Sequence, residues 1–173
     1  IFNMQRELIP LLHDCYQLTH GCRWVADLFQ THKLPTLLIE HKKLGVLSSS
    51  VHNVAKDAVT MEKHHFNIAH EQKIMKYIER INRSQVVLAG AESHVCIYQS
   101  AMALKKLGKQ VFVLADTISA RAQNDHLMAI ERLRGHHFEL ISKEMLFFEL
   151  IDHSESPDYL ELAMKFLDGR YVD

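Results

Sequence analysis

Three cysteines, three prolines and six glycines are few for a chain of 173 residues, and each scarcity removes a class of protein. Cys15, Cys22 and Cys96 form no Cys-x-x-Cys pair and are odd in number. That argues against a disulfide-stapled secreted scaffold and for free thiols in a reducing compartment. The prolines and glycines gather into no linker, low-complexity tract or repeat, so a single domain over 1–173 is expected. The glycines also form no Gly-x-Gly-x-x-Gly after a strand, which removes the sequence basis for dinucleotide binding. No apolar run approaches the roughly 20 residues of a membrane span, and the opening IFNMQ has neither a basic leader nor a small-residue cleavage site. Charge of one sign is missing as well. Twenty Lys and Arg face 21 Asp and Glu, a net charge of -1, and no basic stripe interleaves with aromatics, so neither a nucleic acid nor a membrane surface is an expected partner.

What is present is a rhythm. The runs IFNM (1–4), TLLIE (36–40), AVTME (58–62), QVVLAG (85–90), QVFVLAD (110–116) and FELIS (138–142) are strand-like, and amphipathic stretches separate most of them. This predicts a three-layer α/β/α, Rossmann-like, doubly wound sheet of about six parallel strands. VVLAG and VFVLAD are apolar on both faces, which places them in the middle of the sheet. Residues 6–32 read as one long or broken helix and 70–82 as another. Gly108 and Gly135 stand where left-handed helix caps are wanted. After Phe147 a polar break with Pro157 precedes a terminal helix over 157–168, either covering the sheet or meeting a second subunit. Ile1 falls inside an apolar run, so native residues upstream of it are expected. A cytoplasmic location is expected too, with an organelle presequence left open.

In an open parallel sheet, ligands bind beyond the carboxyl ends of the strands, where strand order reverses. That rule points to Asn3 at the end of the first run, Lys63 at the end of the third, and GAESHVC after the fourth, with Cys96 opening a helix. A thiolate is favoured by a helix N-terminus and by a neighbouring ammonium, and backbone N–H groups of the turn can face a developing oxyanion. Each residue also has an ordinary reading. A cysteine after an apolar strand is commonly a buried small hydrophobe, and a lysine there is commonly a solvated charge. Cys15 and Cys22 read as structural. The thirteen histidines show no convincing ligand spacing, and no metal or cofactor is expected.

The stretch VVLAGAESHVCIYQSAMALKKLGKQVFVLADTISAR (86–121) resembles the signature of the isochorismatase-like cysteine hydrolase superfamily. IFNMQ resembles that family's opening Asp-Met-Gln, MEKHHF (61–66) its Glu-Lys-x-x-Phe element, and SKEMLFFEL (142–150) a later one. The ending SPDYLELAMKFL is similar to the isochorismatase domain-containing branch. The resemblance implies hydrolysis of a small amide, ester or related metabolite through a covalent thiol adduct, in a homo-oligomer. It implies Cys96 as nucleophile, Lys63 as its assistant, a cis peptide at Ala91–Glu92, and oxyanion donors from the backbone of Glu92 and Cys96. It places Asn3 where the family has a catalytic aspartate, and an amide cannot take a proton from a thiol and return it. His64, His65 and His94 are substitute bases to examine, and Glu40, His41 and His94 are candidate ligand contacts. A catalytically impaired binding or interaction protein on the same fold is the alternative, with ribonuclease activity disfavoured.

Overall fold

The computed structural model describes residues 1–167. Five parallel strands form: β1 (Leu37–His41), β2 (Val59–Lys63), β3 (Gln85–Ala91), β4 (Gln110–Ser119) and β5 (Glu139–Ile141). β1 pairs with β2, and β4 lies between β3 and β5. The opening segment holds the sixth place through single parallel bridges from Phe2 to Ile39 of β1 and to Gly90 of β3. The spatial order therefore runs β2, β1, Ile1–Asn3, β3, β4, β5. Numbered by the six sequence runs this is 3-2-1-4-5-6, the dinucleotide-fold order, whose reversal lies between the first and fourth runs. Asn3 and the turn after β3 meet at that reversal.

Alternation along the strands divides the core into two layers. Leu38, Ala89, Ala91 and Leu114 face one cluster, and Ile39, Leu88, Val111 and Val113 face the other, as the period of two requires. The first cluster is covered by helices α1 (Cys15–Thr31), α6 (Lys143–Ile151) and α7 (Tyr159–Phe166), with the short α2 (Ser49–His52) beside them. The second is covered by α3 (Gln72–Ile81), α4 (Tyr98–Lys106) and α5 (Gln123–Gly135). Cys22 lies in the first layer and burial pushes its thiol up to about 12, in keeping with a structural role.

Helix boundaries differ from the sequence expectation where polar residues take unusual backbone. The 6–32 segment breaks at Asp14 (φ 49°), leaving a 3₁₀ turn at Ile9–Leu11 before α1. Gly108 (φ 80°) closes α4 as expected, its N–H donating to Lys105 O and that of Lys109 to Leu104 O. Gly135 does not act as a left-handed cap: it is the last residue of α5, and His137 (φ 55°) takes the positive dihedral instead. The terminal helix spans Tyr159–Phe166 and covers the sheet through α1, with Trp24 Nε1 donating to Phe166 O at 2.8 Å and the two rings edge to face at 5.3 Å. Residue 168 of the expected 157–168 helix lies outside the described residues.

Candidate active site

β2 ends on Lys63 and β1 on His41, which are register partners. β3 ends on Ala91, and the Ala91–Glu92 peptide bond is cis. Cys96 does not open an α-helix, contrary to the sequence expectation. Residues Ser93–Ile97 form a π-turn in which Ile97 N–H reaches back five residues to Glu92 O (3.1 Å), and α4 starts only at Tyr98. A one-residue expansion of this kind is a recurrent feature of functional sites.

Lys63 Nζ lies 3.2 Å from Cys96 Sγ and donates to His65 O at 3.1 Å. Lys63 is 0% exposed and Cys96 3%, so an amine and a thiol are held together inside the protein, and a proton passed from sulfur to nitrogen leaves an ammonium–thiolate pair in direct contact. The loop that leads away from Lys63 is fastened twice. Ser100 Oγ of α4 accepts Ile68 N–H (3.3 Å) and donates to Phe66 O (3.4 Å). Glu71 Oε1 accepts the backbone N–H groups of His64 (2.6 Å) and His65 (2.8 Å) and contacts the His65 ring at 2.9 Å. Burial alone would raise the Glu71 carboxyl, but these donors outweigh it and bring it down to about 2.

Asn3 (φ 52°) is 1% exposed, and its Nδ2 donates to Ala91 O at 2.7 Å, leaving Oδ1 buried without a partner. Among the described residues six buried side-chain polar atoms lack partners, and four of them belong to this end of the sheet: Asn3 Oδ1, His41 Nε2, Ser93 Oγ and His94 Nδ1. Buried polar atoms are nearly always satisfied, and these four are each open to a further hydrogen bond. A cavity of about 420 Å³ lies elsewhere, at the amino ends of β1 and β3 between Leu37, Val86 and Phe29. None of Asn3, Lys63 and Cys96 lines it, and the buried polar cluster outweighs it as a locator of chemistry.

The remaining candidates separate. The His64 and His65 side chains are exposed and engaged with Glu62 and Glu71, so neither shares the buried environment of the thiol; His65 serves Lys63 through its carbonyl. His94 sits in the π-turn, its Nε2 3.8 Å from Asp125. Glu40 accepts Leu47 N–H at 2.8 Å and so fixes the loop after β1. His41 stacks on Phe66 (5.7 Å), and burial, then the Lys63 charge, hold it below the usual imidazole range. The Glu92 side chain pairs with Arg121 at 2.7 Å, while its carbonyl takes the Val95 and Ile97 N–H groups. Sequence reasoning missed Gln5, fully buried, whose Nε2 donates to His41 O (2.9 Å) and whose Oε1 accepts His41 N–H (2.8 Å). It also missed Ser93, Ser100 and Glu71. Gln5 had a signal in the IFNMQ match and Ser93 and Ser100 lie inside the 86–121 match; Glu71 is revealed only by its contacts with His64 and His65.

No group of three or more His, Cys, Asp or Glu among the described residues is placed to hold a metal. No described helix is long and apolar enough to cross a membrane.

Known proteins share this fold. The family model described as Isochorismatase domain matches residues 1–145. Isochorismatase domain-containing protein 2 from Danio rerio is 26% identical over 163 residues, 92% of this chain and 81% of the relative. Among solved structures, the MAR1 ribonuclease from Caenorhabditis elegans superposes with a TM-score of 0.87 at 21% identity, covering 96% of this chain and 86% of that one. YcaC from Escherichia coli, described as an octameric hydrolase of unknown specificity, gives 0.84 at 19% identity and covers 96% and 91%. At these identities the solved structures establish the fold.

Proposed function

Because the chain belongs to the isochorismatase family, we propose that it is a cysteine hydrolase acting on a small amide, ester or related metabolite. The observation that carries the proposal is the buried contact of 3.2 Å between Lys63 Nζ and Cys96 Sγ. In the proposed reaction Cys96 Sγ bonds to the acyl carbon while the carbonyl π pair moves to oxygen, where backbone N–H groups of Glu92 and Cys96 receive it. The oxyanion collapses, the bond to the leaving nitrogen or oxygen breaks, and that atom takes a proton. Water then attacks the thioester, the C–S bond breaks, and acid and thiol are released. One water is consumed and nothing is oxidised.

The proton lost by the thiol must reach the leaving group. Asn3 cannot ferry it, and Lys63 is the titratable side chain in contact with the sulfur. His41 and His94 have unpartnered buried nitrogens at the same end of the sheet and belong to the substrate-binding surface in this reading. The octameric hydrolase YcaC supports a homo-oligomer, and three free thiols support a reducing, cytoplasmic setting. RNA is not the substrate proposed. The ribonuclease likeness is one of fold, and a net charge of -1 gives no overall attraction to a polyanion.

Asn3 favours a second reading, a binding protein descended from an enzyme. A panel of small amides and esters offered to wild type, Cys96→Ser and Asn3→Asp separates the two. Turnover by wild type that Cys96→Ser loses supports the hydrolase. Turnover by Asn3→Asp alone supports the binding protein, and absence of turnover in both refutes the hydrolase.

A further inference from the structure

The demand that Asn3 makes on a ligand is more specific than its failure as an acid. Its Nδ2 is committed to Ala91 O at 2.7 Å. Turning the amide over would set two acceptor oxygens against each other, so Oδ1 is fixed in place. That oxygen is buried and unpartnered, and it can only accept. Of the three other unpartnered atoms at this end of the sheet, the Ser93 hydroxyl can donate or accept, the His94 ring can change tautomer, and His41 Nε2 is a donor because Nδ1 accepts Lys43 N–H at 3.4 Å. Asn3 alone is fixed as an acceptor.

We propose that Asn3 Oδ1 is a specificity-determining acceptor that makes this site prefer acyl groups carrying an N–H donor over their ester counterparts. The inference rests on the reading of Cys96 as the nucleophile. A neutral amide oxygen differs here from a carboxylate: it neither repels an anionic product nor exchanges a proton, so its contribution is recognition. A ligand that brings an N–H satisfies the buried oxygen, whereas an ester leaves it stranded. A stranded buried acceptor corresponds to about tenfold in affinity or reactivity.

The test uses two electrophiles of nearly the same shape, acrylamide and methyl acrylate. In each, the thiolate sulfur bonds the β-carbon, the alkene pair shifts toward the carbonyl, and the α-carbon takes a proton. Labelling of Cys96 is followed by peptide mass spectrometry, and each rate is divided by that of the same reagent with free cysteine. After this normalisation the wild type is expected to favour acrylamide about tenfold. Asn3→Gly, which accepts the φ of 52° while deleting the acceptor, is expected to bring the ratio to about one. A wild-type ratio near one overturns the inference and leaves the nucleophile intact, even if Asn3→Gly does not fold. A preference that survives in folded Asn3→Gly assigns the recognition to another residue and also overturns it. Labelling of Cys96 no faster than Cys15 by either reagent overturns the nucleophile and the inference together.

Discussion

Replacing Lys63 by methionine separates reactivity from stability. At 3.2 Å an ammonium and a thiolate attract by about 5 kcal/mol at an effective dielectric constant of ~20. Methionine has similar length and no charge. The sulfur it leaves behind can stay protonated, and a protonated cysteine is a small hydrophobe, so no unpaired charge is stranded. The buried ammonium also no longer has to be desolvated, which offsets the donor lost by His65 O. Stability is therefore expected within about 2 kcal/mol of wild type, while thiolate chemistry collapses. Water entering the space recovers part of the attraction, so the predicted loss in Cys96 iodoacetamide labelling at neutral pH is at least about 100-fold, close to 3 kcal/mol. Peptide mass spectrometry reads all three thiols in one sample. Cys15, partly exposed, serves as the reactive reference, and Cys22, whose thiol burial pushes up to about 12, as the silent one. Labelling of Cys96 in folded Lys63→Met at the wild-type rate would refute the pairing argument.

Two further outcomes follow from the scaffold. Gly90 has φ 104°, and an added Cβ would fall 2.2 Å from Phe2 O and 2.7 Å from Phe2 N; Gly90→Ala is expected to cost about 3 kcal/mol or more in denaturant unfolding, and a loss below about 1 kcal/mol would contradict the close approach. Glu71, lowered from the ordinary carboxyl value of 4.5 to about 2, stabilises the fold fully above the unfolded value, and that contribution fades as pH falls from about 4.5 toward 2, because the unfolded state takes up the proton first. Glu71→Gln should show a shallower loss of melting temperature over that window, and an unchanged slope would count against the hydrogen-bond assignment.

The elements most visible in the sequence were those fixed by local pattern. VVLAG and VFVLAD became β3 and β4 because a strand buried on both faces needs unbroken apolar runs. Lys63 and Cys96 stood out in the sequence by their places after such strands, and the fold brings their side chains into contact. The π-turn was not legible: one extra residue per turn leaves no mark on a spacing of three and four. Gly135 misled because a cap depends on where the last helical hydrogen bond falls, here His136 N–H to Arg132 O, one residue before His137. Gln5 and Ser100 act across 36 and 32 residues of chain, and a polar side chain carries no sign of a partner so distant. His64 and His65 drew attention by adjacency to Lys63, yet strand geometry buries the lysine and leaves their rings outside.

The two halves of the sheet meet along the opening segment, where Phe2 bridges Ile39 and Gly90, and are tied further by the Ser100 fastening and by the two core layers they share. Lys63 rides on one half and Cys96 on the other. The distance between nitrogen and sulfur is therefore a ruler laid across a joint, and any load that opens the joint lengthens it. Reactivity of a single thiol would then report on the alignment of the whole sheet.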